Sequence, residues 1–77
     1  MEKHLTYLDA WADFWQWIRQ PEQRDKWKAI TRQQQQYIYK ANIAHRRGAL
    51  GYERTKNILC QYAPDRYEFK ETVILHQ

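Results

Sequence analysis

The chain has 77 residues, of which thirteen are Lys or Arg and nine are Asp or Glu, giving a net charge of +4. This length allows a single domain (1–77) with a small core, and two Gly and two Pro are too few for a turn-rich β fold. One cysteine excludes an internal disulfide and no apolar run could span a membrane or act as a signal peptide, which together predict a cytoplasmic protein.

The first predicted element is an amphipathic helix over residues 6–20. Thr6 followed by Asp9 fits an N-terminal capping box, and apolar residues then recur at helical spacing. Pro21 ends the helix because proline disfavours helical geometry at the residue before it. The aromatic stripe of this helix is more typical of a core than of a ligand site, and Trp17 is its member that we expect at a partner interface.

A second helix is predicted over residues 21–47, with residues 32–36 as the favoured place for a break. Helical spacing puts its apolar residues on one side and its cations on the other. The cationic side comprises Arg24, Lys28, Arg32, Lys40, Arg46 and Arg47, with Tyr39 and Ile43 among them.

The positive charge of the chain is concentrated in this middle region. Residues 24–56 hold nine Lys or Arg and two carboxylates. Such a concentration indicates a surface that binds a polyanion. The alternative is a solvated face on which Glu22 and Asp25 neutralise neighbouring lysines.

A third helix is predicted over residues 51–62, after a helix-ending glycine at Gly48. Ala44 and Gly48 have the A-x-x-x-G spacing found at the turn of many helix-turn-helix units. In such a unit the following helix enters the major groove, where Arg54, Lys56 and Asn57 would approach base edges. A plain corner between two packed helices is the favoured alternative, because the spacing is degenerate.

Residues 66–76 alternate in a way that predicts a β-strand, with Tyr67, Phe69, Val73 and Leu75 on one side. A lone strand leaves its backbone N–H and C=O groups unpaired, and no second segment reads as a strand. The tail must then pair with its copy in a second subunit, pair with a different protein, or be something other than a strand. We favour the first and expect these four residues at the interface between two subunits. The predicted fold class is mainly α: a three-helix domain with a short C-terminal strand, paired across a homodimer.

Catalytic and metal chemistry find little support in the sequence. The His and Cys residues lack the paired spacing of zinc sites, and no glycine-rich phosphate loop is present. We predict no enzyme activity, no metal and no cofactor. In size, charge and lack of catalytic residues, the chain resembles in a general way the small regulators of phages, plasmids and other mobile elements.

The favoured function is a small nucleic-acid-binding protein that regulates transcription, with DNA as the favoured ligand. The cationic side of the second helix and Tyr39 would contact the backbone and bases, together with the first turns of the third helix. The alternative is an adaptor or inhibitor that docks on a larger protein through the Trp-rich first helix or the C-terminal strand.

Overall fold

A computed structural model describes residues 2–76 of the chain. Its elements, in chain order, are the strand β1 (Lys3–Leu5), the helix α1 (Tyr7–Ile18), a 3-10 turn (Pro21–Gln23), the helices α2 (Arg24–Ala29), α3 (Arg32–Arg46) and α4 (Tyr52–Tyr62), and the strands β2 (Tyr67–Phe69) and β3 (Val73–Leu75). The domain is mainly helical, as predicted, and carries a small antiparallel sheet of strand order β1–β3–β2. In this part of the chain no helix combines the length and the apolar character that crossing a membrane requires.

The helix α1 lies at the centre of the core and packs against α3, α4 and the sheet. The hydroxyl oxygen of Thr6 accepts the backbone N–H of Asp9 at 3.1 Å, which confirms the predicted cap. The side chains of Trp11 and Phe14 are completely buried. The indole N–H of Trp11 donates to Oδ1 of Asn42 on α3 at 3.1 Å, so its burial leaves no donor unpaired.

The predicted second helix is interrupted, because the chain changes direction at Ile30 and Thr31. Ile30 is buried in an extended conformation, with φ −77° and ψ 135°. The hydroxyl oxygen of Thr31 then accepts the backbone N–H of Gln34 at 3.2 Å and begins α3. The side-chain amide of Gln35 donates to two carbonyls at the end of α2, at 2.8 and 3.2 Å. A single helix over residues 21–47 is therefore wrong.

The corner between α3 and α4 is closed by Gly48, whose φ of 71° is the one positive value among residues 2–76. The N–H of Gly48 donates to the carbonyl of His45 at 3.0 Å, and the N–H of Ala49 donates to that of Ala44 at 2.8 Å. These two bonds form a Schellman motif. The predicted helix-ending glycine is thus confirmed, and it sets the direction in which α4 leaves α3.

The C-terminal segment is a hairpin that finds its partners within the chain. In the β2–β3 pair, Tyr67 lies opposite Leu75 and Phe69 lies opposite Val73. The strand β1, which the sequence does not signal, pairs with the other edge of β3. The expectation that no second strand exists is wrong. That expectation was the reason for predicting pairing across a homodimer, and such pairing is not shown.

The residues predicted at a partner interface are engaged inside the domain. Tyr67, Val73 and Leu75 are only 4%, 2% and 2% exposed, because β3 is the middle strand and packs against α1. Phe69 is half-buried, with its ring 6.0 Å from that of Tyr52 on α4. The side chains predicted at an interface with a second subunit therefore pack in or against the core of the domain.

A polar cluster fastens the hairpin to α1. Oδ2 of Asp13 accepts the hydroxyl of Tyr67 at 2.5 Å and Nη2 of Arg66 at 3.2 Å. Trp17, the other residue predicted at an interface, is half-buried beside this cluster, with the Arg66 guanidinium 5.0 Å from its ring centre. Burial, followed by the hydrogen bond to Asp13, raises the pKa of the Tyr67 hydroxyl well above its usual range.

Replacing Gly48 by Ala should lower the free energy of unfolding by about 1–2 kcal/mol, because a Cβ strains a positive φ. The added Cβ would meet no neighbouring atom, so strain is the only cost. Gly51→Ala is the matched control, since its surroundings are equally open and its φ is −82°. That variant should stay within about 0.5 kcal/mol of the wild type. Urea unfolding followed by circular dichroism measures both, and equal losses would contradict the left-handed corner.

The Tyr67→Phe variant should lose about 1.5–3 kcal/mol of stability at neutral pH, because it removes a hydrogen bond to a carboxylate. In the unfolded chain this hydroxyl ionises at its ordinary pKa of 10.0, whereas in the folded protein it stays protonated to higher pH. Its contribution is therefore complete below pH 10 and falls as the pH rises above that value. Urea titrations above pH 10 should show the wild type approaching the variant, and a difference that stays constant there would refute the raised pKa.

Candidate nucleic-acid interface

The six cations predicted to contact phosphates all lie at the surface. They are Arg24 and Lys28 on α2, Arg32, Lys40 and Arg46 on α3, and Arg47 at the end of α3. Each is exposed, and none forms an ion pair within residues 2–76. Glu22 and Asp25 are exposed as well and do not neutralise them in this part of the chain.

The interruption at Ile30 divides these cations between two helices, so they do not form one flank of one long helix. Helical spacing places Arg32, Tyr39 and Arg46 along the same flank of α3. Lys40 instead lines a separate concavity between α3 and α4. The predicted face is therefore a surface assembled from α2 and two sides of α3.

Two adjacent concavities share Trp15, Arg19 and Tyr39 in their linings; together they are here called the α1–α3 groove, which lies along α1 and α3 and extends to α2. Its lining comprises Ala12, Trp15, Gln16, Ile18 and Arg19 from α1 and its end, Gln20, Pro21, Arg24 and Trp27 from the turn and α2, and Tyr39, Asn42, Ile43, His45 and Arg46 from α3. Three arginines are among these residues, and no Asp or Glu is. Asp9 and Asp13 of α1 lie outside this lining. The groove is therefore positively charged with no acidic residue in its lining.

Tyr39 is held in this groove by two tryptophans. Its ring centre lies 5.5 Å from that of Trp15 and 5.6 Å from that of Trp27, and both pairs are edge-to-face, at 74° and 85°. The Arg19 guanidinium lies 5.3 Å from the Trp15 ring centre. Tyr39 nevertheless remains 49% exposed. Its ring is thus fixed by packing while half of its surface stays open to a ligand.

Two polar side chains in the groove are oriented by their neighbours. Because Oδ1 of Asn42 accepts the indole N–H of Trp11, the amide N–H groups of Asn42 remain as donors. Nε2 of His45 lies 3.1 Å from the backbone carbonyl of Leu8. A carbonyl only accepts, so this nitrogen carries the proton. The groove therefore offers hydrogen-bond donors as well as cations.

The residues predicted to read bases lie on α4, and one of them is used within the domain. The Arg54 guanidinium lies 4.6 Å from the Tyr37 ring centre, and its Nη2 donates to the Tyr37 carbonyl at 3.4 Å. Lys56 is half-buried and Asn57 is exposed. None of these three lines the α1–α3 groove. The outward side of α4 also carries Glu53, so it is less cationic than the groove.

Three groove residues, Trp15, Arg19 and Trp27, are absent from the predicted contacts. Arg19 belongs to a segment, residues 1–23, with two basic and four acidic residues, which conceals its role. A signal is nevertheless present, because Trp15 and Arg19 are four residues apart on one helix and can pair as cation and ring. Trp27 reads as an ordinary core residue until the end of α2 is known.

Replacing Arg54 by Ala should lower the free energy of unfolding by about 0.5–1 kcal/mol, because the guanidinium packs on Tyr37. Lys56→Ala removes the same charge from a position two residues further along α4. This variant should cost less than about 0.5 kcal/mol. Chemical denaturation of the two variants and the wild type gives the comparison. An Arg54 variant as stable as the wild type would mean that this side chain is free for a ligand.

Within residues 2–76, no three His, Cys, Asp or Glu side chains converge into a metal site. Comparison of the chain with protein-family models, with curated protein sequences and with solved structures finds no match. The features of the described residues that bear on function are therefore the charge and geometry of the α1–α3 groove.

Proposed function

We propose that this chain binds nucleic acid and acts as a small regulatory protein that exerts its effect by binding. The observation that carries the proposal is the α1–α3 groove, in which Arg19, Arg24 and Arg46 lie with no carboxylate in the lining. Clustered like charges repel each other, and phosphates would relieve this repulsion while releasing their own counterions. The exposed cations Lys28, Arg32, Lys40 and Arg47 extend the same potential over α2 and α3.

The surface also carries exposed aromatic and apolar side chains, which a surface charged only for solubility would not require. Tyr39 and Ile43 are each 49% exposed inside the cationic region. Aromatic and apolar groups among cations are the combination that nucleic-acid-binding proteins use, because the cations contact phosphates while rings contact bases. The groove on α1, α2 and α3 therefore supports nucleic-acid contact better than the first turns of α4.

The alternative, an adaptor that docks on a larger protein, has less support. Of the segment offered for docking, β3 already pairs on both edges, and β2 is an edge strand of only three residues. In the Trp-rich helix, Trp11 is completely buried and Trp17 packs beside the Arg66 guanidinium. The adaptor hypothesis is therefore left with one short strand edge and a half-buried tryptophan.

A double variant, Arg46→Ala with Arg47→Ala, should weaken binding to any nucleic acid and reduce the slope of log affinity against log salt by about two. Fluorescence anisotropy with a labelled oligonucleotide at several salt concentrations measures this slope. Circular dichroism checks that α3 is intact, because these arginines also stabilise the end of the helix.

The matched control is Lys3→Ala with Lys70→Ala, which removes the same net charge from the sheet side of the domain. Lys70 is paired with Glu68 at 2.9 Å. The control should retain the wild-type slope. Equal effects of the two double variants would show that total charge, and not this surface, governs binding, and affinity that does not change with salt would overturn the proposal altogether.

A further inference from the structure

We infer that the α1–α3 groove holds an unpaired base of a single-stranded nucleic acid, stacked on Tyr39, with Arg19, Arg24 and Arg46 at the adjoining phosphates. This inference rests on the proposed function and goes beyond it by naming the class of nucleic acid. It predicts a preference for single strands over duplexes of the same composition.

The first support is the state of the Tyr39 ring. Edge-to-face packing against Trp15 and Trp27 fixes the ring before a ligand arrives, yet it stays 49% exposed. A ring that is already ordered loses little conformational entropy when a base stacks on it. Stacking tolerates any base, because every base has a π face.

The second support is the position of the charges around that ring. Tyr39 lines both concavities that make up the groove; Arg24 lies in one, Arg46 in the other, and Arg19 in both. A strand whose base sits on Tyr39 therefore meets a cation on either side along the groove. This alternation of ring and cation matches the alternation of base and phosphate in a single strand.

The third support is that a duplex presents the wrong groups to this groove. The bases of a duplex are stacked on each other, and exposing one face costs a few kcal/mol of unstacking and unpairing. Tyr39 also packs against Trp15 of α1 and Trp27 of α2, so those two helices flank the ring on which a base would stack. The amide donors of Asn42 in the same groove suit the carbonyl oxygens that an unpaired base exposes.

Other concavities of the described residues lack this combination. The one between α3 and α4 has Tyr37 and Lys40 but is otherwise lined mostly by glutamines. The one beside the sheet, between His4 and Tyr52, includes Glu71, which would repel a phosphate. A third, beside Trp17, has Lys26 and Arg66 but includes Asp65, which would repel a phosphate. Charge complementarity therefore selects the α1–α3 groove.

The test compares a labelled oligothymidylate of about 12 nucleotides with a hairpin duplex of similar length, by fluorescence anisotropy with the full chain. The single strand should bind about tenfold more tightly at equal salt. Tyr39→Leu should remove this advantage by weakening single-strand binding about tenfold, whereas Tyr39→Phe should retain it because the ring remains.

The matched control is Tyr37→Leu. Tyr37 lies on the same helix and is 45% exposed, but it faces the α4 side. Its replacement should leave the single-strand preference intact. A Tyr37 variant that loses the preference as fully as the Tyr39 variant would overturn the assignment of the groove.

A measurement on the unaltered chain covers the case in which the Tyr39 variant fails to fold. Because Trp15 and Trp27 line the groove, the single strand should quench tryptophan fluorescence and the duplex should not. Equal quenching by both would refute the inference. Salt-sensitive binding of both nucleic acids with equal affinity would leave the proposed function standing while the single-strand inference fails; binding of neither would remove both.

Discussion

The burial of Trp11 is the interaction on which the rest of the structure depends. Its indole is fully enclosed, and an enclosed N–H without a partner would cost about 1–3 kcal/mol. Asn42 supplies the acceptor, and it does so from α3. The hydrogen bond therefore restricts the rotation of α3 about its own axis relative to α1. With Asn42 turned toward α1, helical spacing brings Tyr39 and Arg46 to the groove.

This arrangement explains why the cationic groove and the hydrophobic core can share the same two helices. The inward flank of α1 carries Trp11 and Phe14, and one adjoining flank carries Trp15 and Arg19. The acidic residue Asp13 lies on the other adjoining flank, where it binds Arg66 and Tyr67 of the hairpin. Asp13 is thus held on the sheet side of the domain.

Most helices could be predicted from the sequence, because their apolar spacing and caps are local. A break in the second helix was expected at residues 32–36 and lies just before them, at Ile30 and Thr31. The capping-box spacing of Thr31 and Gln34 marks its position, whereas the run of Gln favours helix. The tail alternation was right about faces: Tyr67 and Leu75 are cross-strand partners and so share one. It could not reveal the hairpin, nor that three residues near the N-terminus complete the sheet.

The groove was harder to predict than the cations that line it. Exposure of Arg24, Arg46 and Tyr39 follows from helical spacing within single elements. The addition of Trp15 and Arg19 depends on how α1 packs against α3, and that packing is set by contacts between residues 31 positions apart in the chain. Local pattern carries no information about such a contact. Because Arg54 on α4 packs on Tyr37, the candidate site lies on the other side of α3, in the α1–α3 groove.

The order of strands in the sheet has a consequence for how the protein is made. The middle strand, β3, follows every other element in the chain, and its neighbours β1 and β2 come before it. During translation, the backbone N–H and C=O groups of β1 lack their partners on β3 until residues 73–75 have left the ribosome. Pairing over such a distance is slow compared with helix formation. The helices can therefore collapse first around Trp11, and the sheet closes after them.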